Sequence, residues 1–364
     1  MQIKTIINFL NEIAPPALQE SYDNAGLIVG DSSWEFTGAI VCLDSTEEII
    51  DEAIENDCNM VIAHHPIVFS GLKKITGKNY IERTIIKAIK NDIAIFAIHT
   101  NLDNVLHGVN MKFAEKLNLK NLKILSPKKN LLNKLTVFCP TDYAQQVQQS
   151  LFDAGGGQLG NYDSCSFISS GKGSFRALEN AKPFVGNTGK IHHENEVKIE
   201  VIIPKYATAN AITSMLKSHP YEEVAYDTIP LENSSNNIGA GMIGTLDRPV
   251  KSLDFLKTLK KQMNVNLIKH TAILQEEINT VAICGGSGSF LLNDAIHQGA
   301  DIFITGDFKY HQFFDADGQI IIADIGHYES EFYTCELLHD KLKEKFSKFA
   351  VHLTKKNTNP VIYL

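Results

Sequence analysis

The sequence predicts an α/β protein: two related α/β halves forming one core with parallel-rich sheets, plus an inserted ferredoxin-like α+β domain. Three observations predict it. Short unbroken apolar runs alternate with helical patterns near both ends of the chain, as parallel strands buried on both faces do. Shifting the chain by 242 positions sets Cys42 on Cys284, Ala53 on Ala295, Ile54 on Ile296 and Ile62 on Ile304. Both ends then read strand, helix, strand. The middle obeys another grammar: Pro140 and Pro204 each stop a strand, and a βαβ pattern occurs twice.

In the first part, Ile3, Ile6, Ile7 and Leu10 have helical spacing, without the unbroken apolar core of a signal peptide. Gly38 to Leu43 is a strand, Ser45 to Asn56 a helix with a Ser/Thr cap, and Met60 to Ala63 a second strand. Ile81 to Lys90 is a helix and Ile93 to Ile98 a strand. In the middle, Lys134 to Cys139, Ser164 to Ser169, Val197 to Ile203 and Val224 to Ile229 are strands. Helices span Tyr143 to Asp153 and Ala207 to Ser218. Linker-like stretches, Ser126 to Asn130 and Asn233 to Asn237, bound this segment. The expected domains are a discontinuous core, 1–125 with 234–364, and an insertion, 126–233. The last part repeats the first: strand Val281 to Cys284, helix Ser289 to Gln298, strands Ile302 to Thr305 and Ile320 to Ala323.

Composition narrows the function classes. The 364 residues suggest two or three domains, and 44% hydrophobic with 21% charged residues excludes disordered and collagen-like chains. With 34 Lys plus Arg against 42 Asp plus Glu, the net charge of -8 disfavours binding to nucleic-acid backbone. No run of 18 apolar residues spans a membrane. Six scattered cysteines form no Cys-x-x-Cys pair and read as buried reduced thiols of a cytoplasmic protein.

The chemistry gathers at predicted strand ends, where open α/β sheets bind ligands. His64 and His65 follow Met60 to Ala63 directly. Neighbours in extended chain point apart, so the two imidazoles suit two metals better than one. The competing reading is a polar strand end. Asp103 lies past the next strand, and its carboxylate could bridge two cations or cap a helix toward Leu117. His99 is a candidate proton relay or supporting partner, and His107 is expected to face solvent. His327 and Glu331 are four apart, so a helix starting near Gly326 would put them on one face. Three imidazoles and two carboxylates suit a two-metal hydrolytic site of Zn, Mn, Fe, Co or Ni better than a calcium site.

Other motifs carry less. Gly285-Gly286-Ser287-Gly288-Ser289 could cradle a phosphate or simply make a tight turn. His192-His193 is expected in a mobile surface loop. No Gly-x-Ser-x-Gly elbow occurs, and no cysteine has an evident histidine partner.

These features resemble the family named for a yeast interacting factor (NIF-three-like), also labelled GTP cyclohydrolase I type 2 homologues. Tyr22-Asp23-Asn24-Ala25-Gly26-Leu27, Ala63-His64-His65-Pro66, Thr100-Asn101-Leu102-Asp103, Gly285-Gly286-Ser287-Gly288, Thr305-Gly306-Asp307 and Gly326 to Glu331 carry the likeness. His219 to Asp227 looks like the signature of an inserted domain found in longer bacterial members, with Val224 where Pro is expected. The resemblance implies His64, His65, Asp103, His327 and Glu331 as the ligands of a dinuclear site, with zinc first among the metals. It also implies an insertion similar to small trimeric signalling folds (PII/CutA-like) and assembly as a toroidal homohexamer. The cyclohydrolase label implies metal-assisted opening of the guanine ring of GTP. The expectation is a metal-dependent hydrolase of a nucleotide or phosphorylated small molecule, the alternative a non-enzymatic metal-binding or regulatory interaction protein.

Overall fold

In the computed structural model, residues 1–160 and 162–364 are described, and the chain divides into two compact units. One joins Met1–Ser126 to Asn237–Leu364; the other is Pro127–Asn236.

The first unit opens with helix α1 (Ile3–Ile13), whose Ile3, Ile6 and Leu10 share one fully buried face. Strands β1 (Gly26–Val29) and β2 (Gly38–Cys42) follow, then α2 (Glu47–Glu55), β3 (Met60–Ala63), α3 (Tyr80–Lys90) and β4 (Ala94–Ala97). Thr46 caps α2 by position only, without the side-chain hydrogen bond that the Ser/Thr cap implied. Asn79 does cap α3, its side chain accepting from the Glu82 amide. Two short helices, α4 (Thr100–Asp103) and α5 (Val109–Lys116), lead to strand β5 (Lys120–Pro127). Where one helix toward Leu117 was expected, the chain turns twice. Asp103 ends the first helix rather than capping the second.

The second unit runs β6 (Leu132–Pro140), α6 (Ala144–Asp153), β7 (Phe167–Arg176), β8 (Ile191–Pro204), α7 (Thr208–Ser218) and β9 (Tyr226–Leu231). Its antiparallel sheet has the order β7-β8-β6-β9. Val147 and Leu151 of α6 and Ala211 and Met215 of α7 pack with Val137 and Ile199 of the sheet. The expected mobile loop at His192-His193 is corrected: both residues lie in β8, opposite Phe175 and Ser174 of β7. Burial alternates along β8, so the strand continues through polar sequence that has no apolar run.

The first unit resumes with β10 (Gly239–Lys251), α8 (Ser252–Gln262), β11 (Lys269–His270), β12 (Glu277–Ser287) and α9 (Leu292–His297). It closes with β13 (Ile302–Gly306), β14 (Ile321–Asp324), α10 (His327–Glu331), α11 (Thr334–Lys345) and β15 (Ala350–Leu353). One sheet has the order β1-β4-β3-β2-β15, the other β11-β14-β13-β12-β10-β5. In each, three central strands are parallel, β2-β3-β4 and β12-β13-β14. Their apolar runs alternate between two cores. Val41, Ile62 and Phe96 pack under α1 and α11, while Ile40, Val61 and Ile95 pack under α2 and α3. Ile283 and Ile304 likewise face α5 and α8, and Ala282 and Phe303 face α9. Burial on both faces explains why these strands carry no polar alternation.

Candidate metal centre

The carboxyl ends of β3, β4 and β14 bring the expected residues together. His64 and His65 leave β3 with ring centroids 5.0 Å apart, not splayed to opposite sides. Helix α10 starts at His327 after Gly326, whose φ of 98° turns the chain sharply. One turn later Glu331 lies on the same face, its Oε2 3.0 Å from His327 Nε2. The same oxygen is 2.9 Å from His65 Nε2, while Oε1 is 3.8 Å from His64 Nε2. Asp103 Oδ1 lies 3.6 Å from His64 Nε2. Two groups of possible ligands result, His65–His327–Glu331 and His64–Asp103–Glu331. The carboxylate common to both is Glu331, whereas Asp103, which sequence reading considered as a bridge, belongs to one of them.

Each imidazole is held from behind by an acceptor on Nδ1. His64 donates to the Ile98 carbonyl at 2.8 Å, and Asp44, Asp307 and Asp23 accept from His65, His327 and His99 at 2.7 Å each. An Nδ1–H bonded in this way makes Nε2 the nitrogen facing the site, where a cation would replace its proton. His99 also closes a third group, with His64 and His65. Sequence reading missed Asp44 and Asp23 as supports. Their signal was weak: each is a single acid just past an apolar stretch or within a turn, and its partner is distant in sequence. Asp307 stood in the Thr305-Gly306-Asp307 motif without an assigned role.

The electrostatics favour added positive charge. Glu331 is buried, which alone would raise its pKa, but His327, His64 and His65 outweigh burial and hold it well below the carboxylate range. Burial, then the Glu331 charge, pushes Asp103 up to about 8. Burial lowers His65 and His327, yet their acidic partners win and raise them to about 10 and about 11. A site that draws protons this strongly has a negative field that divalent cations satisfy equally well. Two buried atoms, His64 Nε2 and Asp103 Oδ1, have no hydrogen-bond partner. Orphaned donors and acceptors in a core cost on the order of 1–3 kcal/mol each, and a cation between them would remove that cost. The residues therefore fit a first-row metal by donor type, by tautomer and by the orphaned pair.

Gly285 to Gly288 turns out to be a spacer rather than a phosphate cradle. Its amides are engaged internally: Gly285 with Asn110 Oδ1, Gly286 with Ser330 Oγ and Gly288 with Thr305 Oγ1, at 2.9–3.0 Å. A Cβ on Gly286 would overlap the Glu331 carboxylate. His107 is exposed, as expected. The six cysteines are free, five of them buried, and no helix among the described residues is long and apolar enough to cross a membrane.

Fold and site together define a mixed α/β protein with histidine–carboxylate clusters that could bind metal. The family model described as Duf34/NIF3 (NGG1p interacting factor 3) matches residues 1–360. The chain belongs to this family. A Bacillus subtilis relative named GTP cyclohydrolase 1 type 2 homolog is 37% identical, over 99% of this chain and 98% of that one. A solved Bacillus cereus protein related to NIF3 superposes with a TM-score of 0.88 at 36% identity, covering 100% of this chain and 99% of that one. A Staphylococcus aureus protein of known structure matches with a TM-score of 0.79 at 32% identity, over 100% and 99%.

Proposed function

We propose that this protein is a metal-dependent hydrolase with a dinuclear site, whose ligands are His64, His65, Asp103, His327 and Glu331. The observation that carries the reading is the position of Glu331. Its two oxygens face two separate groups of donors, beside the orphaned His64 Nε2 and Asp103 Oδ1. Bound divalent ions would supply Lewis-acid activation of water and of the substrate. The chain's own residues orient and relay. Asp44 and Asp307 fix the tautomers of His65 and His327. Burial alone would raise Asp23, but hydrogen bonds from His99 and Thr100 bring it down to about 2. Asp23 thus stays ionised and can hold a proton on His99 Nδ1 beside the site. Zinc is the first choice of metal, with Mn, Fe, Co and Ni sharing the donor preference.

The relatives' name makes GTP ring opening one candidate reaction. Free thiols support a cytoplasmic setting. The strand order supports two related halves, since each large sheet pairs an antiparallel edge strand, β1 or β11, with three parallel strands. The β7-β8-β6-β9 order supports a ferredoxin-like insertion. Homohexamer formation is part of the proposal, tested by light scattering for a mass near six times 40.4 kDa.

The test is metal per chain, by plasma mass spectrometry on tag-free protein purified without chelator. About two divalent ions per chain, lost in Glu331→Ala together with any turnover, is the expected result. Far less than about one ion after dialysis against Zn and Mn would end the reading, and so would full activity of metal-free protein.

A further inference from the structure

The candidate site opens into a cavity of about 910 Å³, within the roughly 300–1,000 Å³ of small-molecule pockets. Its walls combine two features. Carboxylates line it, including Glu20, Asp44 and Glu48, and among the described residues that line it none is Lys or Arg. Exposed aromatic side chains line it as well. Tyr22 is 63% exposed and Phe69 50% exposed, with ring centroids 6.1 Å apart. Phe69 is 6.3 Å from His99, so the aromatic wall reaches the metal-site histidines.

The two usual backbone devices for anions are spent. The Gly285, Gly286 and Gly288 amides bond to side chains. The start of α2 also faces the cavity, but Glu47 and Glu48 in its first turn already answer its positive end. Two divalent ions set against Asp103 and Glu331 leave about two net positive charges. That balances one phosphate dianion and not a polyphosphate.

The geometry points to a planar heteroaromatic of purine size, without a polyphosphate tail, as the substrate class. Its ring would stack on Tyr22 and Phe69 and present an edge toward His99 and Glu331. This narrows the hydrolase reading and rests on it for the reaction and for the charge of the bound ions, while the preference for an aromatic ring stands on the cavity walls. It separates the substrate from the triphosphate that the relatives' name suggests.

Calorimetric titrations of zinc-loaded protein, in excess magnesium, with guanosine, adenosine and GTP test it. At least one nucleoside should bind about tenfold or more tightly than GTP. Phe69→Ala and Tyr22→Ala should each weaken that nucleoside about tenfold at unchanged metal content, since base–aromatic stacking contributes at this level. Glu48→Lys should improve GTP severalfold. GTP binding as tightly as the nucleosides, or no nucleoside binding at all, overturns the inference. So does insensitivity to both aromatic variants. Metal content on the same samples separates the two readings. Protein without ions that still prefers a nucleoside through Phe69 ends only the hydrolase proposal. Fully loaded protein that prefers GTP ends only this one.

Discussion

Gly286 exists at its position because Glu331 needs the space. Its φ of 63° lies in the left-handed region, and a Cβ there would approach Glu331 Cδ to 2.9 Å and His327 Cε1 to 3.3 Å. The missing Cβ thus leaves the space in which the carboxylate common to the two donor groups sits.

Gly286→Ala should therefore behave as a metal-site variant. The left-handed backbone alone costs a non-glycine residue about 1–2 kcal/mol, which the fold can bear. The expected outcome is near-native circular dichroism with metal content reduced to that of Glu331→Ala. Full metal loading in the alanine variant would show that Glu331 is free to settle elsewhere.

Removal of single ligands should sort by group. His327→Ala is expected to keep about one ion per chain, held by His64, Asp103 and Glu331, and Asp103→Ala the complementary one. Glu331→Ala should lose both, because no other carboxylate belongs to both groups. Equal loss in all three variants, read by mass spectrometry, would contradict two separable positions.

Asp44 touches no expected ion position but accepts from His65 Nδ1 at 2.7 Å and from Thr358 Oγ1 at 3.0 Å. Asp44→Asn should weaken metal binding about 10–100-fold, as other carboxylate supports of metal-bound histidines do. Competition with a chromogenic chelator measures it, and an unchanged affinity would remove Asp44 from the site.

The unit Pro127–Asn236 should be acid-sensitive on its own account. Burial lowers the His219 pKa from its ordinary 6.5. Its Nε2 donates to the Phe138 carbonyl and its Nδ1 accepts from the Tyr221 amide, which fixes the neutral ring. A folded pKa below the unfolded one means that the unfolded chain binds more protons. The stability contributed by neutral His219 is then complete above about pH 6.5 and is lost as pH falls toward the folded value. Calorimetry at pH 7.5 and 5.5 should show a steeper loss for the native chain than for His219→Gln. Parallel behaviour of the two proteins would assign the acid response elsewhere.

The sequence by itself determined the central strands and much of the site's cast. Val61, Ile62 and Phe96 sit in runs too apolar to face water on either side, so parallel strands under helices follow from composition. Histidines directly after such a run, and an i, i+4 pair after another, mark strand ends and one helix face. The β7-β8 pair was less legible, because β7 and the start of β8 are polar and little buried, and pairing rather than burial defines them. Only the tertiary structure decided which carboxylate belongs to both donor groups, which acceptor holds each imidazole, and that the Gly285, Gly286 and Gly288 amides are already occupied. Asp44 and His65 are 21 residues apart, and His65 and Glu331 are 266 apart. Spacing along the chain carries no information about such pairs. They meet because two sheets, each built from its own strand-order logic, deliver their strand ends to one cavity.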